Sequence, residues 1–356
     1  MKRLLCTGGG TAGHVIPALP VMEAFLEAGV SVDFIGSGAS LERDLLRPLP
    51  VTYHAISTGK LRRYFSLANF ADAFRVLAGI LQALLLVGRL RPDAVFSKGG
   101  FVSFPVVLAA WCWRIPVVAH ESDLSPGLAN RLALPFVKCL CVNFPVTRPA
   151  GFAGEVVYTG TPVRRSLLEG DRERGRRLLS APEDKPVILV TGGSLGAETV
   201  NRVLREALPV LLEQAVVAHV CGPGKTLDQD PELEAAGYHQ FEYVGDDWGD
   251  ILAAADLVVS RAGANTLYEL LCLKKRNLLI PLSGRASRGD QIENARWAEQ
   301  AGYSHVLSED VLDASSLLAA VRRILSAPPE KSGRIAGFSP PDSVRLIVDA
   351  IRRVTG

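Results

Sequence analysis

The sequence predicts an α/β protein made of two doubly wound, parallel-sheet domains, and three observations carry that expectation. The first is length: 356 residues exceed what one hydrophobic core ordinarily supports, so two domains are expected. The second is alternation. Short apolar runs ("RLLCTG", "VSVDFIG", "DAVFSKGG", "PVVAHES", "CLCVNF", "PVILVTGG", "VVAHVCG", "LVVSRAG", "NLLIPLSG") are separated by helical patterns, as in parallel sheets covered on both faces. The third is a pair of glycine-rich strand-to-helix turns, at 7–13 and 191–196, which imply two similar domains rather than one long sheet. The break falls near "TGTPVRRSLLEGDRERGRRLL", where a proline-containing turn enters a charged helix.

Composition narrows the function. Net charge is +2, but residues 1–163 hold 15 Lys and Arg against 10 Asp and Glu, and the remainder 24 against 27. A basic first half suits either an anionic partner surface or a mixed solvated face. Six cysteines, at 6, 112, 139, 141, 221 and 272, form no C-x-x-C pair and sit mostly in apolar runs, which reads as buried thiols in a reducing compartment. The apolar run after Lys2 and Arg3 is too short for a signal peptide. Segment 70–90 carries Asp72, Arg75, Gln82 and Arg89, so a packed helix with one apolar face is expected rather than a membrane span.

The first turn, "GGGTAGH", satisfies G-x-G-x-x-G through Gly8, Gly10 and Gly13. A dinucleotide fold also needs an acidic residue at the end of the second strand, yet Asp33 stands mid-strand and the strand ends in Gly36, Ser37 and Gly38. His14 then places an imidazole at the start of the helix. What survives is close backbone approach to a phosphate or sugar. "CGPGKT" lacks the first P-loop glycine, since His219 occupies that position. "DQD" at 228–230 lies in a polar stretch and reads as a solvated loop, so neither metal nor organic cofactor is implied. No basic-aromatic cluster points to nucleic acid.

The block 257–295 is the most informative. A helix is expected to start near Thr266, with Glu269 three residues on. The pair reads either as a capping box or as a carboxylate placed to accept both hydroxyls of a ribose.

Seven stretches in order, "GGGTAGHVIPAL", "KGGFVSFPVVLAA", "HESDLSPGLANR", "GTPVR", "GGSLGAETVN", "SRAGANTLYE" and "DQIENA", together resemble the MurG-type N-acetylglucosaminyltransferases, which complete the lipid-linked disaccharide precursor of peptidoglycan. The resemblance implies two Rossmann-like domains facing a cleft, the glycosyltransferase-B type. It places an acceptor-binding domain at 1–162 with 340–356 and a UDP-sugar domain at 163–339. It implies UDP-GlcNAc as donor and undecaprenyl-linked muramyl-pentapeptide as acceptor, with the protein peripheral on the cytoplasmic face of the membrane. By the same likeness Thr11, Ala12, Gly13 and His14 lie beside the reacting sugars, Asp123 takes the place of an amide that would contact donor sugar, and Asn130 of the same stretch is substrate-binding. Arg164 and Ser194 meet the diphosphate, and the Gly245 backbone meets uracil. Ala264, Asn265, Thr266, Leu267, Tyr268 and Glu269 follow the nucleotide and ribose, and Gln291 and Asn294 contact GlcNAc. Ala12, Asp123 and Thr161 depart from the family's usual glycine, asparagine and asparagine, and an ionised Asp123 cannot donate a hydrogen bond as an amide would.

The chemistry agrees. Departing diphosphate can be stabilised by helix N-termini after glycine loops and by a guanidinium, without metal. Direct displacement inverts the anomeric carbon and needs a base near neutrality. His14 is the first candidate, with a helix-start residue holding backbone or phosphate as the alternative; Glu121 and His120 are second candidates or buried strand-end residues. For the lipid acceptor, the apolar helix 70–90 and the loop holding Lys60, Arg62, Arg63, Tyr64 and Phe65 form either an interfacial surface on anionic membrane or a buried helix with a solvated loop. Rival activities are another glycosyl transfer, a UDP-GlcNAc 2-epimerase, or sugar-nucleotide binding without turnover.

Overall fold

The computed structural model describes residues 1–59, 68–193, 195–228, 230–284, 289–327 and 333–356, and for 68–73 the backbone alone. Ser194 and the loop with Lys60, Arg62, Arg63, Tyr64 and Phe65 therefore lie outside the described residues. The chain divides into two compact units, Met1–Arg164 with Pro341–Gly356, and Arg165–Pro340.

In the first unit the strands are β1 (Arg3–Thr7), β2 (Ser31–Gly36), β3 (Thr52–Ala55), β4 (Ala94–Ser97), β5 (Val117–Glu121), β6 (Cys139–Val142) and β7 (Glu155–Tyr158). They pair in parallel in the order β3-β2-β1-β4-β5-β6-β7, so the winding reverses between β1 and β4. Alternate residues face opposite layers. Leu4, Cys6, Phe34, Phe96 and Val118 pack under helix Leu19–Glu27 and helix Ser343–Thr355, which contributes Ile347, Ala350 and Ile351. Leu5, Ile35, Val95, Val117 and Leu140 pack under helix Ala68–Leu90 and helix Ser103–Cys112.

Helix Ala68–Leu90 departs from the packed helix expected. Ala83 and Val87 enter the core, whereas Phe74, Leu77, Leu81 and Leu85, spaced to share one stripe, are each at least 58 % exposed. Among the described residues no helix is long and apolar enough to cross a membrane.

The second unit repeats the plan with β8 (Val187–Thr191), β9 (Val216–Val220), β10 (Tyr238–Phe241), β11 (Leu257–Ser260), β12 (Asn277–Leu279) and β13 (His305–Val306), ordered β10-β9-β8-β11-β12-β13 and parallel. Its core takes Val200, Val203, Leu204, Ala207 and Leu211 from helix Glu198–Leu211, an i, i+3, i+4, i+7 stripe, and Leu317, Val321 and Ile324 from helix Ala314–Ser326. Asp313 caps the latter helix in a reciprocal pair with Ser316. Both glycine-rich turns leave the sheet at the winding reversal, after β1 and after β8, where open parallel sheets bind ligands.

Candidate active site

In the first unit, Thr11, Ala12, Gly13 and His14 follow the three glycines on a 3-10 turn, Ala12–His14, and a second turn, Ile16–Ala18, precedes helix Leu19–Glu27. His14 therefore ends a tight turn instead of opening the helix as expected. Pro17 and Pro20 explain the delay, because proline lacks an N–H and fits only the first turn of a helical segment. His14 Nδ1 lies 3.1 Å from the Lys98 carbonyl. Facing an acceptor, Nδ1 carries the proton and Nε2 the lone pair.

Lys98 extends this layer inward. Its ammonium is 2 % exposed and donates to His120 Nδ1 at 2.9 Å and to Ser122 Oγ. Burial pushes it down to about 8, against the opposing pull of the Glu121 and Asp123 charges. His120 donates from Nε2 to the Gly160 carbonyl at 2.8 Å; burial, then the neighbouring Lys98 charge, holds it well below the usual imidazole range. Both of its ring nitrogens are engaged, so His120 serves as a buried strand-end tie.

Glu121 also departs from the catalytic place expected. Its carboxylate accepts from the Asp123 N–H at 3.0 Å, the Gly127 N–H at 3.0 Å and Asn130 Nδ2 at 2.8 Å. Both oxygens hold the loop that carries half-buried Asp123, and buried Asn130 is spent in the same task. Arg164, at the end of this unit, is half-buried.

In the second unit, the turn after β8 runs through Gly192, Gly193 and the exposed Leu195 to Gly196. Gly196 has φ +68°, and a Cβ there would stand 1.8 Å from the Cys221 carbonyl oxygen, so only glycine lets this turn seat against the end of β9. That carbonyl accepts from Asn201 Nδ2 at 2.9 Å, Asn201 Oδ1 lies 3.0 Å from His219 Nε2, and His219 Nδ1 lies 2.8 Å from the Tyr238 hydroxyl. One assignment satisfies all three: Tyr238 donates to Nδ1, Nε2 donates to Asn201, and Asn201 donates to the carbonyl. Burial lowers His219 to about 3, so it stays neutral. Lys225 of the "CGPGKT" turn donates to the Leu195 carbonyl at 2.8 Å. Asp230 of "DQD" caps helix Pro231–Ala235 through the Glu232 and Leu233 amides.

After β11, the helix runs Ala264–Cys272 with Gly263 as an extended N-cap and no side-chain cap. The expected capping box of Thr266 and Glu269 is thus absent: Gly263 takes the extended cap conformation, and Thr266 already lies inside the first turn. Ala264 is buried and Asn265, Thr266 and Glu269 are half-buried, whereas Leu267 and Tyr268 are buried in the unit and offer no side chain to a ligand. Gly245 is exposed after β10, its carbonyl accepting from Trp248. Gln291 accepts from the Leu282 N–H at 3.0 Å. Asn294 is fully buried and donates to the Ala262 carbonyl at 3.2 Å, so its side chain supports the loop after β11 and cannot make the expected sugar contact.

Sequence reasoning missed Lys98, Asn201, His219 and the pair of buried Arg261 with half-buried Glu309, whose carboxylate also accepts from the Ser283 N–H at 2.9 Å. The one signal for Lys98 is a charge closing an apolar strand, in "AVFSK".

Two parallel-sheet units, each with a glycine turn at its winding reversal, define a Rossmann-type fold in each half of the chain. The chain belongs to glycosyltransferase family 28: the family's N-terminal domain matches residues 4–142 and its C-terminal domain residues 187–338. It is similar to the UDP-N-acetylglucosamine–N-acetylmuramyl-(pentapeptide) pyrophosphoryl-undecaprenol N-acetylglucosamine transferase of Legionella pneumophila (strain Paris), with 46 % identity over 350 residues, 98 % of this chain and 96 % of that one. The protein of the same name from Lachnospira eligens is 48 % identical over 353 residues, 99 % of each chain. The crystal structure of Acinetobacter baumannii MurG superposes with a TM-score of 0.76 at 25 % identity, covering 99 % of this chain and all of that one. A UDP-N-acetylglucosamine 2-epimerase shares the fold alone, with a TM-score of 0.69 at 16 % identity over 98 % of this chain and 95 % of that one.

Proposed function

We propose that this glycosyltransferase moves GlcNAc from UDP-GlcNAc to the C4 hydroxyl of undecaprenyl-diphosphate-linked MurNAc-pentapeptide, inverting the anomeric carbon. The observation that carries this reading is near-full-length identity of 46–48 % to transferases of that name. His14 is the base: its Nε2 lone pair takes the acceptor proton while Nδ1–H is held by Lys98. Charge on the leaving diphosphate is met by Arg164 and by the start of helix Glu198–Leu211 behind the second glycine turn. Glu269, half-buried on its helix, binds the ribose diol. The Asp123 carboxylate lies close enough to the buried Lys98 ammonium for the two charges to attract, and it meets the donor as an acceptor where the family's asparagine could also donate.

The acceptor is lipid-anchored, and the exposed stripe Phe74, Leu77, Leu81 and Leu85 supports docking on a membrane surface. Trp113 donates to the Leu84 carbonyl at 2.9 Å and stays half-exposed beside the stripe, as interfacial tryptophans do. The basic residues Lys60, Arg62 and Arg63 add charges for anionic headgroups. The deciding experiment supplies labelled UDP-GlcNAc and lipid-linked muramyl-pentapeptide. Labelled lipid disaccharide is the expected product; labelled UDP-ManNAc, or bound donor without transfer, overturns the reading.

A further inference from the structure

Glu42, on helix Ser40–Leu46 of the first unit, is a carboxylate 1 % exposed. Four donors end on it. The Gly10 N–H, at 3.0 Å, and the Ser37 hydroxyl, at 2.6 Å, reach Oε1; the Ser37 N–H and the Tyr53 hydroxyl, each at 2.7 Å, reach Oε2. An ionised carboxylate offers about four acceptor positions and no donor, so these four saturate it. Tyr53 in turn accepts from the Gly38 N–H at 2.7 Å. Burial, then the bond to Glu42, raises the phenol to about 12, so it remains a donor. The fit is close: a Cβ on Gly9 would stand 2.3 Å from Oε1.

The location gives the cluster its meaning. In a dinucleotide fold, pyrophosphate takes the amides of the first glycine turn and ribose takes the end of the second strand. Here one internal anion spans both places, bonded to Gly10 of the turn and Ser37 after β2. We propose that Glu42 is a positioning residue for transfer: it locks the Gly10 amide in place of an external ligand and holds Thr11, Ala12, Gly13 and His14 in one working conformation. This rests on the reading that these residues meet the reacting sugars.

Glu42→Gln is the sharp test, because hydroxyls of Ser37 and Tyr53 can rotate to accept but backbone N–H groups cannot. Whichever way the new amide turns, its NH2 faces either the Gly10 N–H or the Ser37 N–H. Per folded molecule, kcat should fall on the order of ten- to a hundredfold, with UDP affinity unchanged within about twofold, since misplacing reacting groups costs rate and leaves remote binding intact. A folded variant with kcat within about twofold of wild type overturns the proposal. Should Glu42→Gln not fold, Ser37→Ala removes only the hydroxyl that shares Oε1 with Gly10; kcat lowered about threefold supports the lock, and unchanged kcat sinks it. If wild-type protein forms no lipid disaccharide, the proposed activity fails instead. Amide exchange at Gly10, slow in wild type and fast in Glu42→Gln, then still decides the positioning role, and unchanged exchange refutes it.

Discussion

The two glycine turns occupy the same topological place and are held by opposite electrostatics. Beneath the first lie buried charges: Glu42 on the Gly10 amide, and Lys98, whose carbonyl fixes His14. Beneath the second runs a neutral relay, Tyr238 to His219 to Asn201 to the Cys221 carbonyl, against which Gly196 seats, and a cation, the Lys225 ammonium, holds the Leu195 carbonyl of the turn itself. An internal carboxylate stabilises a turn proposed to present a base, whereas the same charge under a turn proposed to receive diphosphate would repel its ligand. The difference teaches that shared architecture fixes where a turn stands, and the side chains behind it decide what charge it tolerates.

Removing the imidazole should break the first turn's function most severely. His14→Ala is expected to lower kcat on the order of a hundred- to ten-thousandfold while UDP affinity, read by titration calorimetry, stays put. Equal loss of both would erase the division of labour between the turns. On the donor side, Glu269→Ala should weaken UDP-GlcNAc binding by about 1.5–3 kcal/mol through lost charge-assisted bonds. Its melting temperature should fall far less than donor affinity does; a large thermal loss with unchanged affinity would remove Glu269 from the ribose.

Smaller effects sharpen the contrast. Asn201→Ala leaves the buried Cys221 carbonyl unpaired, costing about 1–3 kcal/mol of stability, and should weaken donor binding with acceptor KM unchanged. Altered acceptor KM alone would contradict the assignment of this relay to the donor. The relay also predicts a pH dependence. Folded His219 titrates near 3 against about 6.5 unfolded, so its contribution to stability is complete above 6.5 and lost as pH falls toward 3, with a slope of at most about 1.4 kcal/mol per unit. His219→Gln should flatten that limb of the denaturation curve; an unchanged slope assigns it to other groups. Chelation with EDTA should leave the rate unaltered, because Asp230, the hopeful ligand of "DQD", is a helix cap; restoration by Mg²⁺ after loss would reopen the metal question.

The fold was largely legible in the sequence, and the four strands not read from it are β3, β7, β10 and β13. All four are sheet edges. Edge strands are short and half-exposed, as "TYHA" and "YHQF" are, and so lack the continuous apolar run that marks a strand buried on both faces. Residues near the site were found where glycine or a helix start betrays them. Their supports were not. Glu42 lies in "SLERDLL", one acidic residue among several charges on a short helix, and its four donors come from three separate stretches of chain. Local pattern likewise misplaced the helix start at Thr266, since it could not see Gly263 adopt the cap.

Helix Ser343–Thr355 completes the inner layer of the first unit, against β4, β5 and β6. The ribosome therefore delivers the whole second unit, residues 165–340, before that layer can close. At bacterial and eukaryotic elongation rates of about 5–20 residues per second, the delay is roughly 10–35 s. Throughout it, the apolar faces of Cys139, Cys141 and Val118 lack the cover that this helix gives them, and exposed apolar surface of that kind favours aggregation. The second unit, contiguous in the chain, carries no such debt and can fold while its neighbour is still open. A chain stalled short of Ser343 would thus present a finished second unit tethered to a first unit whose inner layer is still open.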